Sequence, residues 1–188
     1  YYVIVLAPSS VQEMADFMDL AFTLAFKYRM PAMILSDGVI GQMMEKVVLP
    51  PVKPRRTEEE IKKECPWATF GRTPDRKPNI ITSLELQPEV MEIRNQKLLK
   101  KYELVKENEV RYETSQCEDA DYLFVAFGSA ARISEKAMEL AREDGLKVGL
   151  FRPITLWPFP EKQLEALAKG KKGVLSVEIN AGQMVEDV

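Results

Sequence analysis

Apolar positions in this chain fall into two regular stretches separated by a charged one. Reading from Tyr1, Val3-Ile4-Val5-Leu6 is a continuous apolar run, the pattern of a strand buried on both faces. Pro8-Ser9-Ser10 stops it, and Ser10 and Glu13 have the spacing of a capping box. Val11, Met14, Ala15, Met18, Phe22, Ala25 and Phe26 then recur at three- and four-residue intervals, predicting one apolar helix face, with Lys27 and Arg29 at its negative end. Met30-Pro31 breaks the helix and Ala32-Met33-Ile34-Leu35 is the next strand. The spacing predicts a βαβ crossover with parallel strands and a right-handed connection.

Beyond Ser36-Asp37-Gly38 the periodicity decays through Met43-Met44 into three prolines within residues 50–54, so the first unit is expected to end near residue 50. Residues 51–117 read as a charged, partly helical linker. Thr57-Glu58-Glu59-Glu60 can cap a short helix with a Glu58–Lys62 pair, and Pro66 lies beyond its end. A loop with Gly71, Pro74 and Pro78 follows. From Pro88 to about Tyr112 a broken stripe of Val90, Ile93, Leu98, Tyr102 and Val105 predicts a long, exposed helix packing one side on a neighbour.

Regular alternation returns over residues 118–188. Tyr122–Phe127 reads as a buried strand, Gly128-Ser129 as a turn, and Ile133, Ala137, Leu140 and Ala141 as the inner line of a helix closed by Gly145. Lys147–Phe151 is a strand ending in the ten residues Phe151–Pro160, FRPITLWPFP, where Arg152, Trp157 and Phe159 each precede a proline and are held extended. Glu161 opens a helix with Leu164, Leu167 and Ala168 inside, closed by Gly170. Val174–Val177 is a third strand, and Asn180 is placed as the N-cap of a last helix. The predicted class is α/β: a βαβ remnant, a linker, and a small Rossmann-like open parallel sheet.

With 46% hydrophobic and 29% charged residues, the composition is that of a soluble globular chain, and a net charge of −3 supplies no basic field for nucleic acid. No apolar run reaches the roughly 20 residues of a membrane span, so a cytoplasmic place is expected. The two cysteines, Cys65 and Cys117, are far apart and histidine is absent, which argues against an iron–sulfur cluster, a zinc site or a histidine-based triad within this chain. With no initiator methionine and a final helix broken off, the chain is expected to be cut from a longer one.

Ligands of open parallel sheets bind beyond the carboxyl ends of the strands. Four places qualify: Ser9 and Ser10, Asp37, Gly128–Ala130, and Glu178–Gln183. Gly128-Ser129-Ala130-Ala131 at a helix N-terminus suits a phosphate, against the plainer reading of a tight turn with Ser129 as cap. Neither glycine-rich phosphate fingerprint is present. Asp37 is an acid, base or ligand candidate, or simply half of an Asp-Gly turn. Glu178, Asn180 and Gln183 gather a carboxylate and two amides, although capping also accounts for Asn180. Arg152 must meet a carboxylate, a phosphate or water, and an ion pair with Glu178 on the adjacent strand is the favoured reading. Trp157, Phe159, Met43, Met44 and Met184 read as core or interface packing.

LAPSSVQEM with LAFKYRMPAMILSDGVIG, then VAFGSAAR, FRPITLWPFP and VEINAGQMVEDV, resemble the alpha subunit of 2-oxoacid:ferredoxin oxidoreductases, in its 2-ketoisovalerate and 2-oxoglutarate branch. The resemblance implies the end of a pyrimidine-binding domain over residues 1–50 and a transketolase C-terminal-like domain over 118–188. It further implies oxidative decarboxylation of a 2-oxoacid to an acyl-CoA with thiamine diphosphate and Mg²⁺, and electrons leaving through iron–sulfur clusters of partner subunits to ferredoxin. In such complexes a beta subunit binds the diphosphate, alongside gamma or ferredoxin-type subunits. The activating glutamate would lie upstream of Tyr1, so no catalytic, cofactor or metal residue is assigned here and this chain alone is expected to be inactive. Arg152, Trp157, Glu178, Asn180 and Gln183 are the expected contacts to a partner subunit or coenzyme A. A transketolase-like subunit of a lipoamide-linked dehydrogenase, a non-catalytic interaction module and a Rossmann nucleotide binder are the alternatives.

Overall fold

A computed structural model describes residues 2–72 and 74–188. Two compact units result: one made of the residues up to Leu49 and from Leu99 onward, the other of Pro50–Leu98. One boundary, between Leu49 and Pro50, falls in irregular chain and the other, between Leu98 and Leu99, inside a helix.

In the larger unit, β1 (Ile4–Leu6) lies parallel to β2 (Ala32–Ile34), joined by α1 (Val11–Tyr28). The predicted βαβ order is therefore present, while Tyr1 falls outside the described residues. The predicted helix face is corrected: Phe17 and Leu24 are the buried side chains of α1, whereas Met18, Phe22 and Phe26 are exposed. This helix carries apolar residues around much of its circumference, so periodicity alone selects more than one stripe. The capping box is half formed. Ser10 Oγ accepts the Glu13 N–H at 3.1 Å, but the Glu13 carboxylate turns to the Ser9 N–H at 2.7 Å.

After β2 comes a short helix that the fading periodicity hid, α2 (Gly38–Gln42), with Asp37 as its N-cap. α3 (Glu58–Glu64) and α4 (Pro88–Asn108) follow. Within the smaller unit, Thr57 and Glu60 complete the capping box of α3 and Glu58 pairs with Lys62 at 2.6 Å. Arg76 organises the next turn by donating to the carbonyls of Pro66, Ala68 and Gly71, with its guanidinium over the Phe70 ring. α4 ends at Asn108, not near Tyr112 as expected: Tyr112 opens β3 (Tyr112–Ser115). That strand is polar and exposed, and its antiparallel pairing with a distant strand left no local apolar signal. Of the predicted α4 stripe, Tyr102 and Val105 are buried while Val90 and Ile93 are exposed.

β4 (Tyr122–Ala126), α5 (Gly128–Glu143), β5 (Val148–Pro153), β6 (Thr155–Trp157), α6 (Glu161–Ala168) and β7 (Gly173–Val177) complete the larger unit. A four-stranded sheet of order β3-β5-β4-β7 forms, in which β4, β5 and β7 are parallel and β3 is antiparallel. Alternate residues of the central strands feed two cores. Ala126, Val148 and Leu150 meet Ala130, Ala131 and Met138 of α5, and Val125 and Phe151 meet Phe159, Leu164 and Met184 on the α6 side. The predicted inner line of α5 is thus displaced, since Ile133 and Leu140 are exposed. Gly145, at φ +84°, closes α5 as expected, with the Leu146 N–H on the Ala141 carbonyl at 2.9 Å.

Candidate functional site at the carboxyl ends of β2, β4 and β7

The proline-rich stretch crosses from one sheet to the other. Phe151, Arg152 and Pro153 finish β5, and two residues later Thr155 to Trp157 form β6, antiparallel to β1 in a separate sheet of order β2-β1-β6. The Ala7 N–H donates to the Ile154 carbonyl at 2.8 Å, and the N–H groups of Ile154 and Thr155 both donate to the Arg111 carbonyl. A second short strand inside this loop was not legible, because a three-residue run between prolines carries no period. Phe159 is buried in the α6-side core. Trp157 is half-buried, with the Tyr2 ring stacked on it at 4.9 Å and the Tyr102 ring edge-on at 5.7 Å.

Arg152 is 5% exposed and meets two carboxylates. It donates to Glu13 at 2.6 and 3.0 Å and to Glu113 at 2.7 and 3.0 Å, so the expected pair with Glu178 is not formed. Burial opposes its charge, and the hydrogen bonds to Glu13 and Glu113 more than reverse that, holding its pKa up. Burial likewise acts to raise the Glu13 carboxyl, but Arg152 and Ser9 hold it below its ordinary value. Neither Glu13 nor Glu113 was singled out as a partner, because an ion pair spanning 139 residues leaves no trace in local spacing.

Three of the four predicted loops do converge. Asp37, Gly128–Ala130 and Glu178–Gln183 line one cleft of about 210 Å³, together with Leu35, Ser36 and Phe127. The fourth, at Ser9, lines a different cavity beside Arg132 and Arg152. Asp37 joins two helix starts: Oδ1 accepts from the Val39 and Ile40 N–H groups of α2, both at 3.0 Å, and Oδ2 accepts from the Ser129 N–H of α5 at 2.8 Å. Burial raises its pKa, while the N–H groups of Ile40, Ser129 and Val39 lower it further than burial raises it. The Ser129 hydroxyl itself is buried and makes no hydrogen bond.

This arrangement corrects two expectations. Ser129 is not the cap: the N-cap position is Phe127, which supplies no side-chain bond, and Ser129 lies within α5. The α5 N-terminus also faces the Asp37 carboxylate, which takes its Ser129 N–H and would set like charge against a phosphate there. Gly128 permits the close approach, since it sits at φ +60° and a Cβ there would fall 2.9 Å from Asp37 Oδ2.

At the β7 end, Glu178 does the capping expected of Asn180. Its carboxylate accepts from the N–H groups of Gln183, Met184 and Val185 and from the Ser176 hydroxyl. Burial would raise its pKa; the Met184 N–H, the Ser176 hydroxyl, the Gln183 N–H and the Asn180 side chain lower it. Asn180 closes a tight turn by accepting from the Gly182 and Gln183 N–H groups at 2.8 and 3.2 Å, and only a short 3₁₀ turn, Met184–Glu186, follows. The side chains of Asn180 and Gln183 are exposed at the cleft. Among the described residues no group of three or more acidic, cysteine or histidine side chains could hold a metal, and no helix is long and apolar enough to cross a membrane.

The family model described as "Pyruvate flavodoxin/ferredoxin oxidoreductase, thiamine diP-bdg" matches residues 1–115, and that for "Pyruvate:ferredoxin oxidoreductase core domain II" matches residues 120–188. The chain belongs to the 2-oxoacid:ferredoxin oxidoreductase family. Its relatives in that family include the ketoisovalerate oxidoreductase subunit VorB of Methanothermobacter marburgensis, 47% identical over 188 residues, all of this chain and 52% of the relative. The 2-oxoglutarate synthase subunit KorA of Methanocaldococcus jannaschii is 36% identical over all of this chain and 55% of the relative. The chain thus spans about half the length of the curated relatives it matches. In fold it is similar to a 2-oxoglutarate:ferredoxin oxidoreductase from Magnetococcus marinus, solved with 2-oxoglutarate, coenzyme A and succinyl-CoA bound. That likeness has a TM-score of 0.75 at 24% identity, covering 98% of this chain and 36% of that one. The oxidoreductase family membership agrees with the motifs that carry the resemblance in sequence, FRPITLWPFP foremost.

Proposed function

We propose that the chain serves in the alpha subunit of a thiamine-diphosphate-dependent 2-oxoacid:ferredoxin oxidoreductase, which decarboxylates 2-ketoisovalerate or a similar 2-oxoacid to its acyl-CoA and passes electrons to ferredoxin. The observation that carries this reading is the 47% identity to a ketoisovalerate oxidoreductase subunit along the whole chain, above the 36% to a 2-oxoglutarate synthase subunit. The portion described here is a scaffold. Its two sheets are joined through the β5–β6 strap and the carboxylates of Glu13 and Asp37. Its cleft does not suit a diphosphate with Mg²⁺: the nearest helix N-terminus already holds a carboxylate, and among the described lining residues there are two acids and no lysine or arginine. In the assembled enzyme the cofactor would rest on other residues, with clusters in the partner subunits.

Of the five expected contact residues, Arg152 and Glu178 each make four internal hydrogen bonds, while Trp157, Asn180 and Gln183 keep accessible surface. We assign contacts with a beta-type subunit or coenzyme A to the latter three. Copurified with diphosphate-binding and cluster-bearing subunits, the chain should support coenzyme-A-dependent reduction of ferredoxin by 2-ketoisovalerate. Acyl transfer to lipoamide without ferredoxin reduction would overturn the reading. Calorimetric titration of the 188-residue chain with thiamine diphosphate should show no heat of binding; micromolar affinity would overturn the scaffold role.

A further inference from the structure

The residues up to Leu49 and those from Leu99 are joined in sequence only through Pro50–Leu98, yet they form one compact unit. β1 of the first segment pairs with β6 of the second, Val5 with Trp157 and Leu6 with Thr155, and the Ala7 N–H donates to the Ile154 carbonyl at 2.8 Å. The three-stranded sheet therefore exists only when both segments are present.

Charge follows the same division. Glu13, Asp37 and Glu45 of the first segment accept from Arg152, the Ser129 N–H and Arg132 of the second, at 2.6, 2.8 and 2.6 Å. In the reverse direction Glu109 of the second segment accepts from Lys27 and Tyr28 of the first, both at 2.6 Å. Four carboxylates at four places fix one register between the segments. Glu109 and Arg152 are both buried, where such bonds are strong and little screened by salt.

The intervening chain buries almost nothing. Among the described residues of Pro50–Leu98 only Cys65 is buried, and Ile80, Ile81, Leu84 and Leu86 are all exposed. The first segment, by contrast, buries Ile4, Leu6, Phe17, Leu24 and Ile40. To the larger unit the intervening chain supplies a tether, worth an effective concentration of about millimolar.

We propose that the segment ending at Leu49 and the segment from Leu99 recognise each other directly, so that the chain between them can be cut out without separating them. Glu109, Ser129, Arg132, Arg152 and the β6 strand make the docking surface, and its occupant is the first segment of the same chain. Pro50–Leu98 is then a module carried on a scaffold that holds itself together. The association rests on the fold and not on the proposed activity.

The test uses the 188-residue chain with the recognition sequence of a site-specific protease inserted after Pro51 and again after Ile81, both in exposed, irregular chain. After complete cleavage, residues 1–51 and 82–188 should co-elute on gel filtration at micromolar concentration and unfold in one cooperative urea transition. The excised piece, residues 52–81, should elute apart. In the cut chain Arg152→Met should weaken the association on the order of a hundredfold, the effect of leaving a half-buried carboxylate without its cation. Elution of residues 1–51 apart from 82–188, precipitation of either segment, retention of the excised piece with the pair, or equal association in Arg152→Met would each overturn the proposal.

Discussion

Arg152 and Glu13, 139 residues apart, join β5 of one sheet to the first turn of α1 above the other through two hydrogen bonds, at 2.6 and 3.0 Å. Replacing Arg152 leaves the Glu13 carboxylate half-buried without its cation, which is the costly way to break such a pair. Arg152→Met is expected to destabilise the chain by about 3 kcal/mol, near the lower end for buried pairs because Glu113 is exposed. Arg152→Met with Glu13→Gln should recover part of the loss. Urea unfolding of the two variants beside the unaltered chain checks this, and a single-variant cost under about 1 kcal/mol would show the pair to be a surface contact.

Asp37, bonded to the Ser129 N–H beside Gly128, forms the second link between the sheets. Asp37→Ala removes one acceptor shared by two helix starts, and a cost of about 1–2 kcal/mol is expected from lost caps. Gly128→Ala should cost a further 1–2 kcal/mol, roughly, from its positive φ, and more from the 2.9 Å approach to Asp37 Oδ2. Because that clash needs the carboxylate, the double variant should cost less than the two singles together. Strict additivity in urea midpoints would mean that the two residues do not meet.

Phe159 and Trp157 stand two residues apart with different surroundings. Phe159 lies in the core of Val125, Phe151, Leu164 and Met184, so Phe159→Ala is expected to cost about 3–5 kcal/mol. Trp157 stacks on the exposed Tyr2, and its replacement should cost clearly less while abolishing the ring contact. Thermal unfolding that ranks the two in reverse order would contradict this division of roles.

Most of this fold was readable where a side-chain period survived. β1, β2, β4, β5 and β7 are apolar runs, and Thr57, Gly145 and Gly170 marked helix ends through local chemistry. What was hidden depends on distance: β3 and β6 exist because β5 and β1 pair with them, and the partners of Arg152 lie on other elements. The cleft was half legible. Strand ends predicted which loops would converge, yet nothing in Ser-Asp-Gly revealed that Asp37 would accept from the first turn of a helix 92 residues further on. The capping role moved from Asn180 to Glu178 for a similar reason, since the carboxylate reaches three N–H groups at once.

Glu109 sets the acid limb of stability. It is 3% exposed and accepts from Lys27 and Tyr28, both at 2.6 Å, and from Arg111 at 3.0 Å, tying the end of α1 to the segment before β3. Burial would raise its pKa; the bonds from Lys27, Tyr28 and Arg111 hold it below the ordinary 4.5. A carboxyl whose folded pKa is depressed contributes stability that is complete above its unfolded value and is lost as pH falls through the folded one. Glu13 acts in the same sense. Asp187 acts in the opposite sense: burial and the neighbouring Glu161, Glu186 and Glu178 raise its pKa, so its contribution fades as pH rises. With no histidine in the chain, stability should vary little between about pH 6 and 8 and fall steeply below about pH 4.5. Glu109→Gln should lower stability at pH 7 by about 1.5–3 kcal/mol, the value of bonds to a charged group, and flatten the acid limb. Urea midpoints from pH 3 to 8 decide it: a variant curve running parallel to the unaltered chain would remove Glu109 from the acid transition.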